Sequence, residues 1–181
     1  MKRTSVVILN WNGAALLRRY LPIVVATSES QDVDVVVADN ASSDDSLVVL
    51  QTEFPTVKVI ALDRNYGFAG GYNRALAQID SQYVVLLNSD VATTPSWLIP
   101  LVSLMDSDNS IAACSPKILD DKCRSRFEYA GAAGGYIDWL GEHFAVLIRH
   151  DDNYAKEALK KTGIDTDKAK DALGGLKKLK F

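Results

Sequence analysis

The sequence has little cysteine and little histidine. Its two cysteines, Cys114 and Cys123, do not form a C-x-x-C pair, and its two histidines, His143 and His150, lack the spacing of metal ligands. Both features argue against a disulfide scaffold and against a structural zinc site. We therefore expect free thiols in a reducing cytoplasm and histidines at the protein surface.

The sequence also lacks a long apolar run and an excess of positive charge. No run approaches the roughly 20 residues of a membrane span, and Val6–Leu9 is too short for the apolar region of a signal peptide. The net charge of −3 gives no sign of a nucleic-acid partner. A chain of 181 residues can form one domain with a real core. We expect a cytoplasmic protein without a transmembrane segment.

Composition changes near residue 150. Residues 1–150 contain 12 Lys and Arg against 17 Asp and Glu, a net charge of −5, whereas residues 151–181 contain 8 against 6, a net charge of +2. The later segment has no valine, and its apolar residues recur at helical spacing, interrupted at Gly163 and at Gly174-Gly175. We predict a Lys/Ala-rich, helical tail.

Before the tail, apolar β-branched runs alternate with helical patterns. The predicted strands are Ser5–Leu9, Val33–Ala38, Val57–Leu62, Tyr83–Leu87 and a fifth near Ile111–Ser115. The predicted helices are 13–28, 44–53, 69–80 and 95–106, the last with Thr94 as N-cap and Pro95 at its first position. Continuous apolar runs are typical of strands buried on both faces. The order predicts an α/β fold with a mostly parallel sheet and helices on both faces.

Each of the first four predicted strands ends in polar or glycine-rich residues. The four ends are Asn10-Trp11-Asn12-Gly13, Asp39–Asp44, Asp63–Asn73 and Asn88-Ser89-Asp90. In an open α/β sheet, ligands bind outside the carboxyl ends of the strands. A lone carboxylate beyond a buried strand, such as Asp90, suits a divalent cation shared with phosphate oxygens. Asp39, which directly continues a strand, could accept a hydrogen bond from a base or a ribose.

Structural explanations also exist for these residues. Trp11 could be a lid on the core, and residues 42–44 could cap the next helix. The glycines after Asn65 could form a strand-to-helix turn, and Asn88–Asp90 could be a polar turn. These glycines are neither a dinucleotide-binding fingerprint, because the G-x-G-x-x-G spacing is missing, nor a phosphate-binding P-loop, because lysine is absent.

Taken together, the four strand ends resemble family 2 glycosyltransferases of the GT-A fold, near the rhamnosyltransferase-like members. The matching segments are Val7–Asn12, Asp39–Asp44, Arg64–Asn73, Leu87–Asp90, Pro95–Leu98 and Ser115–Leu119. The resemblance covers about residues 4–141. It implies a nucleotide-sugar-binding domain at 1–141, followed by the atypical tail at 142–181.

The resemblance also implies roles for individual residues. Trp11 corresponds to the residue beside the nucleotide base, and Asp39 to the acid that binds the base. Asp90 corresponds to the ligand of a Mn or Mg ion on the diphosphate, in a reduced D-x-D motif with Asn88 at the first position. The implied nucleotide-sugar-binding residues are Asn10, Trp11, Asp39, Asn65, Gly67, Gly71, Asn73 and Ser89.

The implied activity is inverting transfer of a sugar from a UDP- or dTDP-linked donor to a glycan or lipid-linked acceptor in cell-surface polysaccharide synthesis. The protein would be cytoplasmic, with peripheral contact at the inner membrane face as an option. Such transfer needs a general base. The family's Glu-Asp-type motif is missing downstream, so we expect a donor-binding half without that base. The alternative is a nucleotide-sugar-binding fragment without turnover. A phospho-receiver signalling domain is a third alternative with the same alternating pattern. The sequence argues against it, because such a domain needs acidic residues at the end of the first strand, where this chain has Asn10 and Asn12.

Overall fold

The structure is a computed structural model that describes residues 2–30, 32–127 and 145–149, the last segment by its backbone alone. The strands are β1 Thr4–Asn10, β2 Val33–Asp39, β3 Lys58–Ala61, β4 Tyr83–Leu87, β5 Ala113–Cys114 and β6 Ala145–Arg149. The helices are α1 Ala14–Ser28, α2 Ser46–Glu53, α3 Gly67–Leu76 and α4 Leu98–Ser107. The predicted alternation of strands and helices up to β4 is confirmed.

The strands form one six-stranded sheet in the order β3-β2-β1-β4-β6-β5. The four strands β3, β2, β1 and β4 are parallel, whereas β6 runs antiparallel to both β4 and β5. Strands β2 and β3 lie in succession on one side of β1, and β4 lies on the other side of β1. The carboxyl ends of β1 and β4 therefore flank the point where the strand order reverses, which is where such sheets bind ligands.

The core lies on both faces of the sheet because successive residues of a strand point to opposite sides. On one face, Val6 and Ile8 of β1 belong to a cluster that includes residues of α1, α2 and α4. On the other face, Val7 packs in a cluster with Tyr72 and Leu76 of α3. The prediction of helices on both faces is confirmed. No helix in the described part of the chain is long and apolar enough to cross a membrane.

The predicted start of the fourth helix is wrong. Helix α4 begins at Leu98, its N-cap position is Trp97 without a side-chain cap, and Thr94 and Pro95 precede the helix. The reason lies at Ser96, whose φ of 60° is left-handed and interrupts any helix that begins at Pro95. A proline at a suitable position favours a helix start but does not impose one.

The end of the sheet also differs from the prediction. The fifth strand has two residues, Ala113–Cys114, and pairs antiparallel with β6. Strand β6, Ala145–Arg149, falls in the segment for which a helical tail was predicted, so the helical prediction is wrong for these five residues. The remainder of the tail, with His143 and His150, lies outside the described residues, as does all of the glycine-rich segment 128–137. Cys114 and Cys123 are free thiols, as predicted.

Candidate functional site

The carboxyl ends of β1 and β2 are joined by side-chain and backbone hydrogen bonds. Asn10 and Asp39 are paired in register at the ends of their strands. The Asn10 amide Nδ2 donates to Asp39 Oδ1 at 2.9 Å, and the Asn40 backbone N–H donates to the Asn10 carbonyl at 2.8 Å. Two of the predicted site residues therefore meet at this edge of the sheet.

Asp39 is fully buried, and both of its carboxylate oxygens accept hydrogen bonds from the protein. Ser42 donates its hydroxyl to Oδ1 at 2.6 Å and its backbone N–H to Oδ2 at 2.9 Å. The carboxylate therefore orders the loop that follows β2. Because Asp39 is covered by the protein, a nucleotide base could reach its carboxylate only if this loop moved, and the base contact expected for Asp39 stays a prediction.

Asn10 is buried beneath the same loop. Its second amide hydrogen bond goes to Ser42 Oγ at 3.2 Å, while its Oδ1 has no partner among the described residues. A Cβ on Gly13 would lie less than 3.0 Å from that oxygen, which real Cβ atoms essentially never do. The sequence pattern gave Gly13 no role. The close approach shows that a larger residue at this position would displace the Asn10 amide.

The loops after β1 and β2 clamp each other. Asn12, at a left-handed φ of 52°, accepts the backbone N–H of Ser43 at 2.7 Å and of Asp44 at 3.3 Å. In return, Asp44 Oδ2 accepts the N–H of Ala14 in the first turn of α1 at 3.0 Å. A carboxylate beside the first turn of a helix interacts favourably with the helix dipole. The N-cap position of α2 is Asp45, which makes no side-chain cap. Asp44 Oδ1 instead accepts the N–H of Ser46, the first residue of that helix, at 3.0 Å, so the expected capping of α2 is confirmed for Asp44.

The pKa of Asp44 is lowered by this arrangement. Burial raises it, but hydrogen bonds from Ser46 and from the Ala14 backbone lower it, and the lowering prevails. The anionic form is the one that accepts these N–H donors. Asp44 is therefore ionised at neutral pH and stabilises the two-loop clamp in that form.

Asn40 connects the β2 end to the start of α3. Its Oδ1 accepts the Tyr66 N–H at 2.9 Å, and its Nδ2 donates to Asn65 Oδ1 at 3.0 Å and to the Gly67 carbonyl at 3.1 Å. Sequence reasoning assigned a role to Asn65 and overlooked Asn40. The sequence did carry a signal, since Asn40 is an amide just after a predicted strand. The structure shows in addition that this amide is buried.

The glycines predicted to form a loop under the ligand lie in the first turns of α3. Gly67, at φ 69°, is its first residue. A Cβ on Gly71 would lie 2.8 Å from Leu9 Cδ1 and 3.1 Å from Asn40 Nδ2, so glycine lets the helix approach the end of β1. Asn73 follows on the same helix. The same glycine-rich segment therefore forms the strand-to-helix turn and allows α3 to approach the end of β1.

Two aromatic rings stand exposed close to the strand ends. Trp11 is 58% exposed, which rules out the lid on the core, and Phe68 is 61% exposed. Phe68 meets the buried ring of Tyr72 edge-on, with ring centroids 5.0 Å apart. An exposed ring at the rim offers a flat apolar surface to a planar ligand. Sequence reasoning found Trp11 but assigned nothing to Phe68.

Asp90 follows the end of β4, with Ser89 half-buried and the Asp90 carboxylate exposed. No group of three or more Cys, His, Asp or Glu residues in the described chain could hold a metal. The site therefore does not fit a cation held by protein alone. It does fit Mg²⁺ or Mn²⁺ held by one carboxylate and by phosphate oxygens, the common arrangement at phosphate sites.

A cavity of about 190 Å³ adjoins Asp90. Its walls come from the β4–α4 connection, which includes Trp97, and from the segment after β5, which includes Lys117 and Arg124. The size suits one small ligand group better than a whole nucleotide sugar. The lining combines an aromatic ring, two cationic side chains and three carboxylates, those of Asp90, Asp120 and Asp121.

Comparison with known proteins identifies the family. The model of glycosyl transferase family 2 matches residues 5–163, most of the chain. The chain belongs to this family. Its predicted GT-A fold is confirmed by solved glycosyltransferase structures at 18% sequence identity. One is a mannosyltransferase from Pyrobaculum calidifontis in complex with GDP-Man and Mn²⁺, with a TM-score of 0.65, which covers 89% of this chain and 46% of the other.

Two further matches show what share of a related protein's length this chain covers. S. aureus TarS 1-349 in complex with UDP-GlcNAc matches with a TM-score of 0.63 over 90% of this chain and 48% of that one. The succinoglycan biosynthesis protein ExoO of Rhizobium meliloti is 30% identical over 102 residues, 56% of this chain and 29% of the relative. This glycosyltransferase chain thus spans about a third of the length of curated relatives that it matches.

Proposed function

We propose that this chain binds a nucleoside-diphosphate sugar at the carboxyl edge of its sheet and serves an inverting glycosyltransferase of polysaccharide synthesis. One observation carries the proposal. The polar ends of the parallel strands, in a chain of glycosyltransferase family 2, lie where the strand order reverses between β1 and β4. Ligands of open α/β sheets bind at such a point. A cytoplasmic location, where donors of this kind are supplied, belongs to the same proposal.

In this proposal, the base and the diphosphate of the donor bind on opposite sides of β1. Trp11 offers its exposed ring to the base, beside the loops that Asn12, Asp39 and Asp44 hold in place. Asp90 and Ser89, on the other side of β1, are assigned to the diphosphate. The cavity next to Asp90 is the natural place for the transferred sugar ring, because it is small and partly polar.

A divalent cation fits this assignment. Asp90 would hold it together with the diphosphate, and the ion would neutralise the charge that develops on the leaving group. The role of the chain is to place one exposed carboxylate beyond a rigid strand. The relative solved with GDP-Man and Mn²⁺ supports the choice of ion.

Transfer with inversion also needs a base that takes the proton of the acceptor hydroxyl. The expected acidic motif is missing from the sequence downstream of the glycine-rich segment. The second candidate is a module that binds a nucleotide sugar without turnover. A transfer assay against the hydrolysis background separates the two, since transfer that depends on Asp90 would eliminate the binding-only alternative.

Binding is tested by the melting temperature with nucleotides and metal. UDP, dTDP and GDP sugars at millimolar concentration, each with and without Mn²⁺ or Mg²⁺, should raise the melting temperature by mass action if they bind the folded chain. Asp90→Ala should remove only the metal-dependent part of that rise. Asp80→Ala, an exposed aspartate on the connection that leads into β4, is the matched control and should leave it unchanged. If no nucleoside diphosphate shifts the wild type, the site assignment is wrong.

A further inference from the structure

Tyr72 of α3 places a hydroxyl group where β1 and β4 separate. The side chain is 3% exposed, and its hydroxyl donates to the Leu87 carbonyl at 3.0 Å. Leu87 is the last residue of β4 and pairs with Ile8, the last residue of β1 in register with β4. Beyond this pair, β1 continues alongside β2 as far as Asn10. The hydroxyl therefore meets the backbone at the base of the crevice.

Packing alone does not account for this hydroxyl. Its neighbours in the cluster on this face of the sheet are apolar, among them Val7, Ala75 and Val84. Phenylalanine would fill the same space without burying a polar group, which is costly unless the group is hydrogen-bonded. Burial raises the pKa of the Tyr72 phenol above its ordinary value, so the group is a neutral donor over the physiological range. What the hydroxyl adds is a link from α3 to both strand ends, through its bond to the Leu87 carbonyl and through a hydrogen bond from the Leu9 backbone.

The Leu87 carbonyl belongs to the peptide group that leads directly into Asn88. Tyr72 supplies a hydrogen bond to this peptide group, and Asp90, three residues further on, is exposed. The Tyr72 hydroxyl is thus a side-chain group that ties the start of this turn to α3, at the point where β4 also pairs with β1 and β6. A metal ligand on an exposed turn depends on such anchors for its orientation.

We propose that Tyr72 is a positioning residue for the metal-binding turn. By holding the end of β4, it keeps the Asp90 carboxylate oriented to share a divalent cation with the donor's diphosphate. The inference rests on the proposed function, because it assumes that Asp90 binds the cation. It adds a residue of α3, distant from Asp90 in sequence, to the determinants of metal affinity.

Tyr72→Phe in the full chain tests the inference, because it removes one oxygen and keeps the ring. UDP and GDP are the probes, titrated by calorimetry in EDTA and then over a range of Mn²⁺ concentrations. We expect the Mn²⁺ concentration for half-maximal enhancement of binding to rise about tenfold, the lower end of the effect of lost outer-shell partners. Affinity for the nucleotide without metal should stay unchanged.

Tyr83→Phe is the matched control. Tyr83 is fully buried at the other end of the same strand, and its hydroxyl donates to Asp106 Oδ1 at 2.7 Å. Its removal should lower stability at least as much as Tyr72→Phe, because its acceptor is a carboxylate, while leaving the Mn²⁺ requirement unchanged. Backbone amide resonances give a readout that does not depend on nucleotide. Those of Ser89 and Asp90 should shift in Tyr72→Phe and not in Tyr83→Phe.

The outcomes separate the inference from the proposed function. Metal-dependent binding in the wild type that Tyr72→Phe leaves intact would overturn the positioning role and keep the function. An equal loss in both tyrosine variants would mean that general stability is responsible, which also overturns it. If the wild type binds neither probe with Mn²⁺, the proposed function fails and the inference falls with it.

Discussion

Replacing Gly13 with alanine tests how closely the ends of β1 and β2 are packed. Gly13 has φ −114° and ψ 28°, with the negative φ that alanine also adopts, so the substitution acts through space and not through a forbidden backbone. The added Cβ would lie less than 3.0 Å from the buried Asn10 Oδ1. Asn10 must therefore move.

Asn10 cannot move without weakening its hydrogen bonds to Asp39 at 2.9 Å and to Ser42 at 3.2 Å. A hydrogen bond to a charged group contributes about 1.5–3 kcal/mol and one between neutral groups about 1 kcal/mol. Alanine offsets about 0.4–1 kcal/mol of the loss by restricting the unfolded chain. We expect Gly13→Ala to lower the free energy of unfolding by about 2–3 kcal/mol, as the balance of these terms.

The measurement is urea unfolding followed by far-ultraviolet circular dichroism. The midpoint should fall while the slope with denaturant stays the same, because the surface exposed on unfolding is unchanged. The same substitution in an Asn10→Ala background meets no amide oxygen and should be neutral or slightly stabilising. Equal losses in the two backgrounds would refute the reasoning, since the Asn10 contact could not then be the cause.

Two further predictions concern the same rim. Asp44→Ala should lower stability at neutral pH, and the difference from wild type should shrink as the pH falls through the lowered pKa of the folded carboxyl, because a depressed pKa stabilises the fold only while the group is ionised. A difference that persists in full at the acid end of urea titrations would contradict the lowered pKa. Trp11→Ala should weaken UDP or GDP binding by about tenfold or more, as expected for a lost stacking partner. Stability should hardly change because the ring is 58% exposed, and unchanged affinity in calorimetry would exclude stacking on Trp11.

Much of the fold could be predicted because its signals are local. The β-branched runs at Val33–Asp39 and Tyr83–Leu87 form strands whose bounds match the predictions to within a residue. Their continuous apolar character follows from burial on both faces of a parallel sheet. Strand β6 contains a short apolar run of its own, Ala145–Ile148, but it was missed because it was assigned to the Lys/Ala-rich tail. Its antiparallel pairing with β4 could not be read from any local pattern.

The candidate site was only partly predictable. Its position at the carboxyl edge followed from polar residues after apolar runs, which sequence displays directly. The orientation of each polar group did not follow. Asp39 looked like a ligand-facing acid, yet Asn10 and Ser42 surround it. Asn40 looked like an ordinary loop residue, yet its amide holds the start of α3.

The sequence by itself determined the alternation of strands and helices, the edge where the polar strand ends collect and the resemblance to glycosyltransferase family 2. These depend on residue type and short-range periodicity, which each segment carries alone. Only the tertiary structure decided which polar atoms turn inward, such as those of Asp39, and which stay open, such as the carboxylate of Asp90. Burial and hydrogen-bond partners come from segments tens of residues apart, so they exist only once the strands have assembled.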